Sequence, residues 1–353
     1  MPSFPLSLSQ WKYRIPITIN GSLIDSNLTD FPVLVKLNSS RFNFSKARSD
    51  GDDLRFALPD GTLLKYERER HDAARQVAEY WVKIPSVLSG QNTTFYLYFG
   101  NPSASNGADP TNVWDANFLR VYHLKEDNDR VADSTINGKR GRKRSASEPA
   151  AVDAKIGIGQ NYDGIDDFIT ADPLNFSGSS TFTVEAWIKT TKTSAAVIAS
   201  CGDDTVNRNE FGWRFQVSWT TVGKLALIVN RSAGSYHYAQ SSERVNDNDW
   251  HYCVGTYNGS NGAIKLYIDG IQDGEGTNYD RENQTTGDQK LGIGCSTQND
   301  YPSTFYLNLL DEVRISNIVR SAAWIKASYH SGNDSLLSYG EEEKRSSIIP
   351  LII

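Results

Sequence analysis

The sequence predicts an all-β protein built as two tandem β-sandwiches. Three observations carry that prediction. Short segments alternate apolar and polar residues with period two, the mark of strands that bury one face. Gly, Asn and Asp turn signals separate these segments at short intervals, as sandwiches and jelly rolls require. The composition holds 17 Tyr and 8 Trp but one Met, and aromatic residues favour a pleated surface. At 353 residues the chain is long enough for two domains with full cores.

The elements follow in order. Residues 11–19 put Trp11, Tyr13, Ile15, Ile17 and Ile19 on one face of a half-buried strand. Residues 31–37 (FPVLVKL) form a second strand, and Asp60-Gly61 turns the chain between LRFAL and TLLKYE. Residues 80–84 and 95–99 (FYLYF) follow, and Gly100-Asn101-Pro102 stops the last of them. Residues 103–112 are polar and aperiodic, which sets a domain boundary near residue 110. Beyond it, Phe182, Val184, Ala186 and Ile188 share one face of FTVEAWIK. Further strands are expected at residues 225–229, 252–257, 264–268, 291–293, 305–309 and 313–315, with a tight turn at Asp269-Gly270. One short helix is expected over residues 322–329, N-capped by Ser321. The expected organisation is 1–110, 111–335, and an acidic then apolar tail over 336–353.

Charge and composition exclude several classes. A net charge of −6 argues against nucleic acid as a partner, because phosphate binding needs a basic face. No apolar run reaches the ~20 residues of a membrane helix. The N-terminus has neither the basic region nor the apolar stretch of a secretory signal. Cys201, Cys253 and Cys295 match no zinc spacing. They read as buried thiols, with a Cys253–Cys295 bridge left open.

In the first half, WKYRIPITI, LTDFPVLVKL, DGDDLRF, DGTLLKYE, YWVKIP and FYLYFGNP occur in order. This series resembles the β-domain family catalogued as domain of unknown function 2341. In the second half, YHLKE, ADSTING, YDGIDDFI, FTVEAWIK, DWHYCVGTY, IKLYIDG, LGIG and LDEVRISN resemble the concanavalin A-like, laminin-G-type jelly roll. The resemblance implies a second sandwich of that type, used in surface and virion proteins for adhesion or glycan binding, and implies no reaction. It also implies one structural Ca²⁺, which here would bring Asp133, Asp163 and Asp311 together with Glu312. A hard cation wants 6–8 oxygens. Asp166 and Asp167 in the same motif, and Asp50, Asp52 and Asp53 in the first half, are further acidic clusters weighed against simple turns.

Aromatic rings stack on the C–H faces of sugars while polar neighbours satisfy the hydroxyls. Trp213, Trp219, Tyr236, Tyr238 and Tyr301 fall in or near expected loops of the second half and are the candidate ligand-binding residues. Trp187 and Trp250 read as core. Catalysis finds little support: none of the five histidines sits in a HExxH pair, and no nucleophile elbow, P-loop or dinucleotide fingerprint occurs. Glu67 and Glu69 share a strand face, but the interleaved arginines read as an exposed charged strand. The basic run Lys139–Arg144 reads as a solvated loop. Ten Asn-x-Ser/Thr sequons, at Asn20, Asn27, Asn38, Asn43, Asn92, Asn175, Asn230, Asn258, Asn283 and Asn333, fit exposed turns.

The sequence-based expectation is a non-catalytic recognition protein for a glycan or cell-surface ligand, placed at an extracellular surface or on a virion as a spike, fibre or decoration protein. Two alternatives are a structural capsid or assembly protein that self-associates or docks through residues 341–353, and a carbohydrate-active enzyme.

Overall fold

A computed structural model describes residues 4–145, 148–177, 179–202, 212–230, 236–277, 290–297 and 302–346, and every count below refers to these. Strands dominate, with one α-helix, Ala322–Gly332. The chain divides into two compact units, residues 1–115 with 330–353, and residues 116–329. The domain boundary falls between Asp115 and Ala116 rather than at 110.

The first unit pairs a three-stranded sheet, ordered Leu28–Asn38, Val77–Val87, Tyr66–Asp72, with a five-stranded one. The latter runs Leu337–Tyr339, Tyr13–Ile19, Thr93–Phe99, Arg55–Ala57, with Glu343–Lys344 also on Tyr13–Ile19. The alternation that marked residues 11–19 does its expected work, since Ile15, Ile17 and Ile19 are buried. Phe56, which packs on Phe95 of its own sheet at 6.4 Å, meets Tyr66 and Tyr80 from the other at 5.3 and 5.6 Å between ring centroids.

The segment expected as a separate tail is partly built into this unit. Ile17 pairs with Tyr339, Thr18 with Ser338 and Ile19 with Leu337. The Lys36 N–H donates to the Tyr339 hydroxyl at 3.1 Å, and the Arg41 guanidinium sits 4.6 Å over the Tyr339 ring while holding Asp334. The acidic run is consumed locally: Glu342 pairs with Lys46 and Glu343 with Arg14, both at 2.6 Å. Residues 347–353, the apolar end, lie outside the described residues.

The second unit stacks two eight-stranded sheets. The first is ordered Ala150–Asp153, Ile158–Asp163, Leu307–Ser316, Phe182–Lys189, His251–Asn258, Ala263–Ile268, Ile271–Thr277, with Phe118–Tyr122 also on Leu307–Ser316. The second is ordered Tyr236–Arg244, Lys224–Asn230, Gly212–Val217, Ala196–Cys201, Leu291–Ile293, Ile169–Ala171, Gly141–Lys143, Arg130–Val131. Phe182, Ile188, Phe215, Leu227, Tyr257, Leu266 and Ile293 fill the layer between them. At Gly255 the sheets approach so closely that a Cβ would stand 3.1 Å from Leu227 and 3.2 Å from Phe215. The three cysteines are free and buried, and burial raises the thiol pKa of Cys253 and Cys295. The Cys253–Cys295 bridge is not formed.

The helix covers the outer face of the first sheet. Its N-cap is Ser321, whose Oγ accepts from the Trp324 N–H at 3.2 Å. Trp187 stacks on Tyr329 at 5.9 Å, and Trp324 packs on Phe118 at 6.3 Å. Trp250, expected in the core, is half-buried. On the same sheet lies a buried ionic network. His123 Nδ1 is 2.7 Å from Glu312, Arg314 reaches Glu312 at 2.5 Å and Glu185 at 3.6 Å, and the Tyr252 hydroxyl donates to Glu185 at 2.6 Å.

Burial alone would raise the Glu312 pKa, but His123 and Arg314 overcome it and hold the carboxyl down at about 2. Folding therefore lowers this pKa, and the unfolded chain takes the proton first as pH falls. The network's contribution is complete above about 4.5, the ordinary carboxyl value, and is lost on descent towards 2. Glu312→Gln should destabilise the protein by about 3–5 kcal/mol at pH 7, because Arg314 keeps its buried charge without that partner. It should also flatten the acid limb of the unfolding temperature between pH 4.5 and 2, read by calorimetry. Tyr339→Phe should cost about 1 kcal/mol through the lost hydrogen bond to Lys36, read by urea unfolding.

Candidate functional site

Each strand of the second sheet in the second unit has one face on the core and one turned away. In register, Ile169, Ile293, Ala199, Phe215, Leu227 and Ala239 form a core row. The neighbouring row, on the opposite face, reads Arg130, Arg142, Thr170, Gly292, Ser200, Arg214, Ile228, Tyr238 across all eight strands. A shorter row beside it reads Val197, Gln216, Ala226, Gln240. Neither row contains a carboxylate.

The turn at 294–297 lies over the middle of the long row and divides the face. Ser200 Oγ donates to the Cys295 carbonyl at 3.0 Å and accepts from the Thr297 N–H at 3.2 Å. A Cβ on Gly292 would stand 2.6 Å from Thr297 Cγ2. On one side of this turn lie Arg214, Gln216, Trp219, Tyr238 and Gln240.

The chemistry of this part centres on amides. Gln216 is 0% exposed, yet among the described residues neither its Oε1 nor its Nε2 has a hydrogen-bond partner. Gln240 Oε1 accepts from Thr220 Oγ1 at 2.9 Å, while its Nε2 is buried without an acceptor among the described residues. The Arg214 guanidinium lies 5.0 Å from the centre of the Trp219 ring. Tyr238, at the end of the row, is 41% exposed. A buried polar group left unpaired costs about 1–3 kcal/mol. Groups of this kind call for an explanation such as a bound ligand or water. Donors and acceptors together suit a ligand that offers both, as hydroxyl groups do.

The expected site residues are placed unevenly. Trp219 and Tyr238 belong to this face. Trp213 does not: it is buried in the core with Phe215 and Val217, because it sits one residue out of phase with Arg214 and Gln216. Tyr236 opens the strand Tyr236–Arg244, with its side chain outside the described set, and Tyr301 lies outside the described residues. Arg214, Gln216 and Gln240 were missed by sequence reasoning, although the alternation in GWRFQV places the first two on the face opposite Trp213.

The four expected calcium ligands do not converge. No three of Asp133, Asp163, Asp311 and Glu312 have donor atoms within 4.8 Å of one another. Asp133 accepts from the N–H groups of Val121, Thr135 and Lys139, and Asp163 from those of Ile165 and Asp166. Asp311 accepts from Ile156, and Glu312 is held by His123 and Arg314. These carboxylates organise turns and the ionic network, so this set does not fit the ion. Glu148, Asp166 and Asp167 do converge, and Arg144 pairs with the first two of them. In the first unit Asp50 and Asp52 pair with Arg48, and Asp53 accepts from Arg48, Gly100 and Asn101.

Two further expectations need correction. Glu67 and Glu69 are buried rather than exposed, and Glu67 accepts from the Trp114 indole at 2.9 Å. The basic run is no loop, because Gly141–Lys143 is a strand and Lys143 is buried with its ammonium on the Glu126 and Pro149 carbonyls. Several sequons are Asx turns. Asn20, Asn38, Asn43 and Asn258 each accept from both the N–H and the hydroxyl of the Ser two positions on.

Residues 163–326 match the family model of the Concanavalin A-like lectin/glucanases superfamily, and residues 50–135 match that of a domain of unknown function, DUF2341. The second unit is a concanavalin A-like jelly-roll sandwich. No curated protein matches the chain. Solved structures that resemble it include domain 4 of an extracellular arabinanase from Geobacillus stearothermophilus, in complex with arabinotriose. That likeness has 19% identity and TM-score 0.48, over 63% of this chain and 100% of that one. The botulinum neurotoxin serotype D binding domain matches at 15% identity and TM-score 0.44, over 61% of this chain and 51% of that one. The chain thus spans about half the length of that toxin domain. A heptameric pentraxin from Limulus polyphemus matches at 18% identity and TM-score 0.33, over 42% and 70%.

Replacing Gln216 by Met keeps the volume and removes both unpaired groups. The variant should be as stable as the parent or up to about 1 kcal/mol more stable, read by urea unfolding. A loss above about 1 kcal/mol would show that the amide is satisfied in the free protein.

Proposed function

We propose that the second unit is a non-catalytic carbohydrate-recognition module. It holds glycan hydroxyls on the part of the second sheet that carries Arg214, Gln216 and Gln240, with Trp219 and Tyr238 at its edge. The observation that carries this reading is the buried Gln216 amide, which offers a donor and an acceptor and uses neither among the described residues. Sugar hydroxyls match both at once. A binding face of this kind gives up folding stability for affinity, as functional sites do. Sugar cleavage would need two positioned carboxylates, and the two rows of this face offer none. The family match supports a lectin-like sandwich and leaves the ligand to the site. The setting that goes with this reading is an extracellular or virion surface, where glycans are met; immunogold labelling of cells and particles reads it directly.

The test is a glycan array with the full chain, run in calcium and again in EDTA so that a metal requirement reads out separately. A defined set of glycans should bind. Gln216→Met and Arg214→Ala should each weaken that binding at least about tenfold. A blank array in both buffers would sink the reading.

A further inference from the structure

On the far side of the turn at 294–297, the same face ends in a cleft of about 280 Å³ lined by Asp129, Arg130, Arg140, Gly141 and Arg142. Arg130 and Arg142 are direct cross-strand partners. Arg140 stands just before the strand Gly141–Lys143 and lines the same cleft as Arg142. All three are exposed, and Arg142 is 78% so. Like charges placed directly opposite one another destabilise a sheet, and little offsets them here. Asp129 reaches Arg142 at 3.5 Å. The guanidinium groups of Arg130 and Arg140 have no ion-pair partner among the described residues.

The neighbouring basic residues show that this is not simply an unsorted basic run. Lys139 pairs with Asp172, Arg144 with Glu148 and Asp166, and Lys143 is buried on carbonyls. Of the run's five basic residues, two are thus held by carboxylates and one by carbonyls, which leaves Arg140 and Arg142 in the cleft with Arg130. Each guanidinium offers paired N–H donors whose spacing fits a carboxylate or a sulfate.

We propose that Arg130, Arg140 and Arg142 form a receptor for an oxyanion substituent, sulfate or carboxylate, on an acidic glycan. The assignment of a glycan rests on the function proposed above; the cleft's preference for oxyanions stands on its own geometry. Arg142 and Arg214 lie four strands apart along one row, roughly 19 Å at the usual strand spacing. An oligosaccharide bearing repeated acidic groups is long enough to engage both parts of the face.

The test is fluorescence-polarisation titration of the full chain with three labelled probes: a heparin hexasaccharide, a polygalacturonate hexamer, and inorganic polyphosphate. A combined Arg130→Gln, Arg140→Gln and Arg142→Gln variant is measured beside the parent. At least one acidic sugar should bind, weaken with added salt, and lose about tenfold or more in the variant. The variant's unfolding temperature should be unchanged or higher, since it removes repulsion. The sulfated and the carboxylated probe distinguish the two oxyanions. Equal affinity of both acidic sugars in parent and variant, or no binding of either, overturns the proposal. Polyphosphate binding as tight as the best sugar overturns the glycan assignment. If neutral glycans fail on the array but an acidic sugar binds and is lost in the variant, the cleft stands and the Gln216 reading falls.

Discussion

The second unit hangs on one strand, Leu307–Ser316, and on a change of partner within it. Along one edge it pairs through Leu307–Leu310 with Ile158–Asp163, and through Val313–Ser316 with Phe118–Tyr122. Its other edge pairs with Phe182–Lys189, whose register slips between Glu185 and Trp187. The handover falls at Asp311 and Glu312, and Glu312 takes a positive φ of 55°. A ladder that switches partners leaves backbone groups to be satisfied by side chains. Asp311 supplies an acceptor for the Ile156 N–H, and Glu312 anchors His123 and Arg314. The LDEVRIS sequence is thus a structural hinge between strands. Its acids serve that change of partner.

That constraint places the sheets, and the sheets place the site. Once the first sheet is fixed, the second closes the core with its odd-phase residues and turns Arg214, Gln216 and Arg142 away from it. The division of the outer face by the turn at 294–297 follows from Gly292, where a side chain would collide with Thr297. Two chemically distinct surfaces result from one row: uncharged amides beside one arginine on one side, and three guanidiniums on the other.

Much of the fold was legible in the sequence. Period-two alternation found Tyr13–Ile19 and Phe182–Lys189, because a strand that lays one face on the core places its apolar residues two apart. Ser321 announced the helix through its hydroxyl. What was not legible depends on contacts far apart in sequence. Nothing in Leu337–Tyr339 marks it as the partner of Tyr13–Ile19, since a three-residue strand carries no periodicity of its own. Glu67 reads as solvated beside two arginines until Trp114 arrives to hydrogen-bond it. Asp133, Asp163 and Asp311 are implied as oxygen ligands by the resemblance, but the fold keeps their donor atoms from gathering within 4.8 Å of one another. Trp213 was misplaced for a different reason: residue type was weighed above phase. The apolar partners at 215 and 217 put it in the core, and the same phase put Arg214 and Gln216 on the opposite face.

Charge tells the same story at larger scale. A chain with net charge −6 has acids to spare, and folding uses them against nearby cations: Glu342 and Glu343 on Lys46 and Arg14, Asp172 on Lys139, Asp166 on Arg144. Against that background, three arginines gathered around one carboxylate are not a consequence of composition. Exposed pairs contribute little to stability, so stability does not require the arginines to stand together. A repulsive cross-strand pair is tolerated where something outside the free chain supplies the compensating charge. Buried Gln216 obeys the same logic with hydrogen bonds in place of charge, and both lie on the outer face of the second sheet.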